Sequence, residues 1–418
     1  MKHLFVVAAG LGFRELERRG ALKMAGLSFA PGASAFPAVT CVAQATLRTG
    51  RDPREHGMTS NGVWLANLMK PSFWEQSAAL VSGPRVWDAA RASGAKVGMY
   101  FWQQSLGESV DYVISPAPIH KHGGGMIMRN YTRPAEMGDA LDRVCGTFPL
   151  HRYWGPLASP KVGRAVLDNF FKMSEAHSPD YALLYLPTLD YAAQRSGPSS
   201  RASRDALKEF ISQLAALAEF ASTRNADLTV CGDYSIAPVD RPPSFPNMTL
   251  RRAGLFNVRP VGARAYPDFN TSAAFAMCDH EIAHVFVRDG DPDIAARAMR
   301  ALEETGEYET VAMRADQPWA HPSGGELLLV AKKGSWCAYP WWTDPREAPD
   351  YATHIDIHNK PGYDPCELFF GRLFPPGTCQ DWTRVKGTHG RTSTIAWAST
   401  DGKVAGAAMK EIASSIFA

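Results

Sequence analysis

Two aspartates stand where the chain has just left an apolar run. Asp190 follows Tyr181-Ala182-Leu183-Leu184-Tyr185-Leu186, and Asp233 follows Leu228-Thr229-Val230-Cys231. Runs of that length read as strands covered on both faces. In a parallel sheet, active sites form at the carboxyl ends of strands. Asp190 and Asp233, with Thr40, are therefore the first candidates for chemistry. Gln194 comes four residues after Asp190, a spacing that shares one face of a helix. A second group lies in His354-Ile355-Asp356-Ile357-His358. Extended backbone would set His354, Asp356 and His358 on one face, and with Asp364 they are the nitrogen and oxygen donors that Zn²⁺ or Mn²⁺ prefers. The plain alternative for this segment is a hydrogen-bonded structural loop. His280 and His284 have helical i, i+4 spacing, but His284 leads directly into the apolar run His284–Val287, so a structural role is expected for both. His120 and His122, in a glycine-rich loop, are expected at solvent, and Trp102, Trp341 and Trp342 in packing. There is no GxxxxGK[ST] or GxSxG, and the one HExxH spelling, His280-Glu281-Ile282-Ala283-His284, is the histidine pair that runs into an apolar stretch. Gly10-Leu11-Gly12 fails as a dinucleotide fingerprint because Glu15 stands where the third glycine belongs.

The elements that must position these residues alternate along the chain. Leu4–Ala8, Lys96–Phe101, Tyr181–Leu186, Leu228–Cys231, His284–Val287 and Leu327–Val330 are strand candidates. Between the third and fourth, Leu207, Phe210, Ile211, Leu214, Leu217, Ala218 and Ala221 recur at three- and four-residue steps and predict an amphipathic helix. Strand, helix, strand at this spacing predicts a mainly parallel sheet. Two stretches interrupt the alternation, 103–160 (Gly, Pro, His and aromatics) and 236–275 (with Pro238, Pro242, Pro243 and Pro246), and both read as insertions over a site.

The segment from Phe36 to Asn61 is the most informative. Pro37, Ala38, Thr40, Thr46, Leu47, Thr49, Gly50, Pro53, His56, Gly57 and Met58 fall in one register, and Asn61 follows shortly. This resembles the nucleophile motif of the type I phosphodiesterase/nucleotide pyrophosphatase branch of the alkaline phosphatase superfamily. The resemblance implies that Thr40 opens a helix and attacks phosphorus, while Asn61 donates to a non-bridging oxygen. An isolated Thr40 would instead read as a helix N-cap. Leu186-Pro187-Thr188-Leu189-Asp190 is similar to the family's first metal motif, with Gln194 where the motif has histidine. Cys231-Gly232-Asp233-Tyr234 is similar to the second, with Tyr234 where it has histidine. Gly387-Thr388-His389-Gly390 is similar to the closing motif, which makes His389 the third-histidine candidate and His358 its rival. Asp364 belongs to a stretch similar to one that relatives carry near the site. Ala9-Gly10-Leu11 stands where an Asp-Gly-Leu opening is expected, so the first metal aspartate is replaced. The resemblance therefore implies one or two divalent ions, zinc first and manganese second, on Asp190, Asp233 and His389, with His358 and Asp364 as replacement ligands. Gln194 and Tyr234 become substrate contacts.

These readings predict an α/β fold: an alkaline phosphatase-like three-layer sandwich, a mainly parallel central sheet with helices on both faces, and caps from 103–160 and 236–275. Because the presumed site draws on residues from Thr40 to His389, the 418 residues read as one domain. The expected activity is metal-dependent hydrolysis of a small phosphodiester or phosphomonoester through a threonine nucleophile. The replaced ligands leave open a member that only binds a phosphorylated metabolite or a partner, or a transferase using the same pocket. A net charge of +2 with 21% charged residues does not favour nucleic acid or an anionic membrane as partner. No apolar stretch reaches the roughly 18 residues needed to span a bilayer. The N-terminal Leu4–Ala9 run reads as a first core strand rather than a signal peptide, since Arg14 to Arg19 follow at once. Seven scattered cysteines without a CxxC pair read as reduced thiols in a cytoplasm.

Overall fold

The structure, a computed structural model, describes the chain except residues 124, 318, 355–367, 372–376, 403–407 and 418. Eight strands form the central sheet: β1 (His3–Ala8), β2 (Ala30–Ala33), β3 (Val97–Tyr100), β4 (Tyr112–Ser115), β5 (Tyr131–Arg133), β6 (Tyr181–Leu186), β7 (Asp227–Gly232) and, late in the chain, β12 (Thr394–Ser399). Their spatial order is β5-β4-β3-β6-β1-β7-β12-β2. The five strands from β4 to β7 run parallel, and β5, β12 and β2 are added antiparallel at the edges. Every residue of β1 is buried, as a strand covered on both faces requires. The N-terminal run is thus a central core strand. Ala8 pairs with Leu186 on one side and Gly232 on the other. The strands β6, β1 and β7 therefore end level, and the loops leaving them converge.

The helices that matter to the site are α1 (Thr40–Thr49), α2 (Val162–His177), α3 (Asp190–Ser196), α4 (Arg201–Ser222), α5 (Pro292–Glu303) and α6 (Met409–Ile416). The expected amphipathic helix is α4. It buries Leu207, Phe210, Leu214, Leu217, Phe220 and Ala221, and Ser200 caps it by accepting from the Ser203 N–H. Phe220 meets Phe170 and Phe171 of α2 at ring distances of 5.3 and 4.6 Å. Each fully buried ring of this kind contributes about 1.5–3 kcal/mol.

Two strand candidates lie elsewhere than expected. His284–Val287 and Leu327–Val330 belong to a separate antiparallel sheet of β8 (Ala274–Asp279), β9 (Ile282–Val287), β10 (Tyr308–Met313) and β11 (Leu327–Ala331), in the order β8-β9-β11-β10. It has its own apolar core, with α5, Trp341 and Trp342. A continuous apolar run reports burial on both faces and carries no information on which sheet it joins. Segment 236–275 leads into this second sheet. Segment 103–160 is more than a cover, since it supplies β4 and β5 to the central sheet. The tight turn between β8 and β9, Asp279-His280-Glu281, reaches back to the first sheet. There the Glu281 N–H donates to the His389 carbonyl at 2.8 Å, and Arg391 pairs with Glu281 at 3.2 Å.

Candidate active site

Thr40 is the first residue of α1, whose ten residues are all buried. Val39 is the N-cap, in extended backbone and without a side-chain cap bond, so Thr40 is not serving as the cap. The other motif residues hold this helix start in place. Asn61 accepts the Cys41 N–H on Oδ1 at 2.9 Å. Asp279 accepts the Asn61 backbone N–H at 2.7 Å and its Nδ2–H at 2.9 Å. His56 lies 3.1 Å from Thr46 Oγ1 through Nε2 and accepts the Met58 N–H on Nδ1. Burial, with the Arg48 charge adding, lowers the His56 imidazole to about 3, so it is a neutral structural link.

Around Thr40 two phenols face two carboxylates. Thr40 Oγ1 donates to Tyr234 Oη at 3.5 Å, and Tyr234 in turn donates to Asp190 Oδ1 at 3.2 Å. Tyr185, which lines the same cleft as Thr40, donates to Asp233 Oδ2 at 3.0 Å. Asp233 Oδ1 accepts the Gly10 and Tyr234 backbone N–H groups at 3.0 and 2.8 Å. Asp190 Oδ1 also accepts the Gln194 amide at 2.7 Å, the expected i, i+4 pair on α3. Burial pushes the Asp233 carboxyl up to about 8; the Asp190 charge adds to this, and the Gly10, Tyr185 and Tyr234 donors oppose it. Gly232 is needed here because a Cβ at this position would sit 2.3 Å from the Leu11 carbonyl oxygen.

His389 stacks flat on Tyr234, with ring centroids 3.7 Å apart and 4° between planes, and lies 3.8 Å from His280. Its Nδ1 lies 2.9 Å from the Ala38 carbonyl oxygen, which can only accept, so Nδ1 carries the proton and Nε2 is bare. Burial, with His280 adding, holds His389 well below the usual histidine range, and burial also lowers His280. The cleft above has a cavity volume of about 80 Å³. Thr40, Asp190, Gln194, Tyr234, His280 and His389 form its floor, and Trp74, Tyr153, Trp154 and Tyr191 are among its aromatic walls. No lysine or arginine is among the described residues that line it.

The structure thus brings Thr40, Asp190, Asp233, Gln194, Tyr234 and His389 together. Asn61 stands behind the helix start, 1% exposed and outside the cleft lining, with Asp279 and Cys41 as its partners. His354 is exposed; Asp356, His358 and Asp364 lie outside the described residues. His120 and His122 are exposed, and Trp102, Trp341 and Trp342 are packed in the cores, as expected. His284 is structural, bonded to the Thr59 carbonyl at 2.9 Å. His280 corrects the sequence reading. It sits in a turn with φ +59° rather than on a strand or helix, and from there it enters the cleft. Tyr185 was missed because in sequence it is one more apolar-run residue, although its alternation with Leu184 and Leu186 put it on a definite face.

A hydrolase with an alkaline phosphatase-like α/β fold is the class defined by this sheet and by a threonine-led helix set against the level strand ends. The type I phosphodiesterase/nucleotide pyrophosphatase family matches residues 17–364, and the chain belongs to that family. Phosphonoacetate hydrolase from Sinorhizobium meliloti 1021, solved with phosphonoformate, is 13% identical with a TM-score of 0.64, over 100% of this chain and 95% of that one. Its phosphonoacetate complex gives 14% and 0.61 over the same shares. Murine ectonucleotide pyrophosphatase/phosphodiesterase 5 is 14% identical with a TM-score of 0.52, over 95% of this chain and 88% of that one. No curated protein matches the chain.

The family is one of metal-dependent phosphoesterases, so the fit of a metal can be judged from the residues present. His389, with Nδ1–H held by a carbonyl and Nε2 bare, has the form of a metal-bound histidine. Among the described residues, the rest of the set does not complete a centre. The carboxylates of Asp190 and Asp233 are engaged by phenol, amide and backbone donors, and Ala9 offers no ligand. Among the described residues, the group of three histidine or carboxylate ligands that meets within 4.8 Å is His3, Asp227 and Asp401, at the start of β1 and β7. The described residues at Thr40 do not fit a two-metal centre. Among the described residues, no helix is long and apolar enough to cross a membrane.

Proposed function

We propose that the protein hydrolyses a small phosphoric diester, with Thr40 as the attacking group. The supporting observation is the position of Thr40, the first residue of a buried helix, with its hydroxyl in a cleft flanked by Asp190, Tyr234 and His389. A helix start favours negative charge, and a threonine hydroxyl becomes nucleophilic when an adjacent group takes its proton. Thr40 Oγ forms the bond to phosphorus, the leaving oxygen departs with its electron pair, and water then cleaves the phospho-threonine. The charges lining the cleft favour a diester. A monoester carries up to two negative charges near neutral pH and a diester carries one, and the described lining places the Asp190 carboxylate, and no lysine or arginine, beside them. Like charges at close range are costly in a buried site. The test is Thr40→Ala on matched mono- and diesters. Loss of turnover on both, with the parent protein favouring the diester, supports the reading, whereas undiminished turnover by Thr40→Ala eliminates it. Asp190, Asp233 and His389 would favour zinc as a donor set, but both carboxylates are already engaged. No step of this reaction therefore runs through an ion, and elemental analysis of protein purified without chelators is expected to find less than one ion per chain.

A further inference from the structure

We infer that the phenol hydroxyls of Tyr234 and Tyr185 stand at Thr40 in place of two cations, and that Thr40 passes its proton through Tyr234 to Asp190. The inference rests on the reading of Thr40 as nucleophile. In a two-metal site each cation would touch the nucleophile or its substrate and at least one carboxylate. Here phenols take those places. Tyr234 lies between Thr40 and Asp190, and Tyr185 lines the cleft beside Thr40 and donates to Asp233. The residues standing at the replaced ligand positions are Ala9, Gln194 and Tyr234, which together remove one carboxylate and two imidazoles. What they supply is compatible with carboxylates left without a metal. Gln194 gives Asp190 an N–H at 2.7 Å, and Tyr234 gives Asp233 its backbone N–H and Asp190 its hydroxyl. A cation entering this set would have to displace donors already made.

Bond polarity then sets the direction of the proton. An ionised carboxylate can only accept, so the Tyr234 O–H points to Asp190. That leaves the Tyr234 oxygen as acceptor for the Thr40 O–H. The ring cannot swing away, because it lies flat on His389 at 3.7 Å and the residue is 1% exposed. In the forward step the Oγ–P bond forms and the P–O bond to the leaving group breaks, with its electron pair going to that oxygen. The Thr40 proton moves to Tyr234 as the Tyr234 proton moves to Asp190, and Asp190 then yields a proton to the departing oxygen, which leaves as the alcohol. In the second step water attacks phosphorus, its proton replaces the one lost, and Thr40 Oγ recovers its electron pair and hydrogen. No co-reactant other than water is needed.

The experiment uses the full chain purified without chelators. It combines elemental analysis, thermal shift with added Zn²⁺, Mn²⁺ or EDTA, and steady-state kinetics on a phosphodiester for Tyr234→Phe, Tyr185→Phe and Thr40→Ala. The expected result is substoichiometric metal, no stabilisation by either ion and turnover indifferent to EDTA. Tyr234→Phe is expected to lower kcat on the order of 10²–10⁴-fold, the usual contribution of a positioned base, with KM and melting temperature close to the parent. A second variant, Ala9→Asp with Gln194→His and Tyr234→His, should acquire Zn²⁺ that the parent does not. Stoichiometric metal in the parent overturns the inference, as does full activity of Tyr234→Phe alongside an inactive Thr40→Ala. Full activity of Thr40→Ala instead removes the underlying reading, whatever the tyrosine variants do.

Discussion

Asp279 offers a sharp test of how Thr40, the proposed nucleophile, is held. Its carboxylate spans Asn61, accepting the backbone N–H at 2.7 Å and the Nδ2–H at 2.9 Å, and Asn61 in turn accepts the Cys41 N–H one residue beyond Thr40. Asp279→Asn keeps the volume but leaves one acceptor oxygen, so an amide N–H must face one of the two Asn61 donors. One charge-assisted bond is lost, the other becomes neutral, and a buried donor is stranded. With charge-assisted bonds contributing about 1.5–3 kcal/mol, neutral ones about 1, and a stranded buried donor costing about 1–3, the gross loss is about 3–8 kcal/mol. Relief from burying a charge offsets part of it, leaving a net loss of about 2–4 kcal/mol. That is a large share of a typical stability of about 5–15 kcal/mol, yet it leaves a folded protein to assay. Because the loosened element is the start of α1, turnover should fall as well, by up to about 10²-fold for a displacement near 1 Å. Denaturant midpoints for parent and variant, with diester turnover on the same preparations, measure both. A loss under about 1 kcal/mol with unchanged turnover would refute the claim that the second sheet sets the nucleophile through Asp279.

Two other perturbations follow from the same geometry. His56 has a folded pKa of about 3 against 6.5 free. The unfolded chain therefore takes up a proton in a window where the folded chain does not. Stability is whole above pH 6.5 and falls as pH drops towards 3, on the order of 5 kcal/mol from this group. His56→Gln should flatten that part of a stability-versus-pH curve measured by denaturant unfolding. Gly232→Ala would place a Cβ 2.3 Å from the Leu11 carbonyl oxygen, so the end of β7 must shift. A melting-temperature drop corresponding to about 1–3 kcal/mol is expected, with reduced turnover because Asp233 and Tyr234 come next. An unchanged melting temperature would show that this approach is not constrained.

Local and periodic features were the legible ones. The strands β1, β3, β6 and β7 and the helix α4 announce themselves because burial on both faces, or on one stripe, imposes a pattern that short windows can show. The carboxylates at the ends of β6 and β7 follow from the parallel arrangement, and Thr40 from its motif. Partnership across long sequence separations was not legible. His284–Val287 has the same apolar run as a central strand, and only its pairing with Leu327–Val330 places it in another sheet. His280 enters the cleft because a tight turn with positive φ aims it there, which histidine spacing cannot reveal. Tyr185 and Asn61 show the same limit in opposite directions. An apolar-run tyrosine proves to line the cleft, and a motif asparagine proves to face Asp279 and the helix start.

The three replaced ligand positions are best understood as one change, because each alone would be costly. Removing the cation beside Asp233 while keeping an ionised carboxylate would leave a buried, weakly compensated charge. The carboxyl instead moves up to about 8, and its remaining acceptor capacity is met by Tyr185, Gly10 and the Tyr234 N–H. Removing the cation beside Asp190 would strand Oδ1, which Gln194 and the Tyr234 hydroxyl now satisfy. Reverting one position therefore should not restore a metal centre. Tyr234→His alone would withdraw the hydroxyl from both Thr40 and Asp190 while supplying a single imidazole where zinc needs about four ligands. It should lose activity without gaining metal, so single and triple reversions separate a coupled replacement from three independent ones.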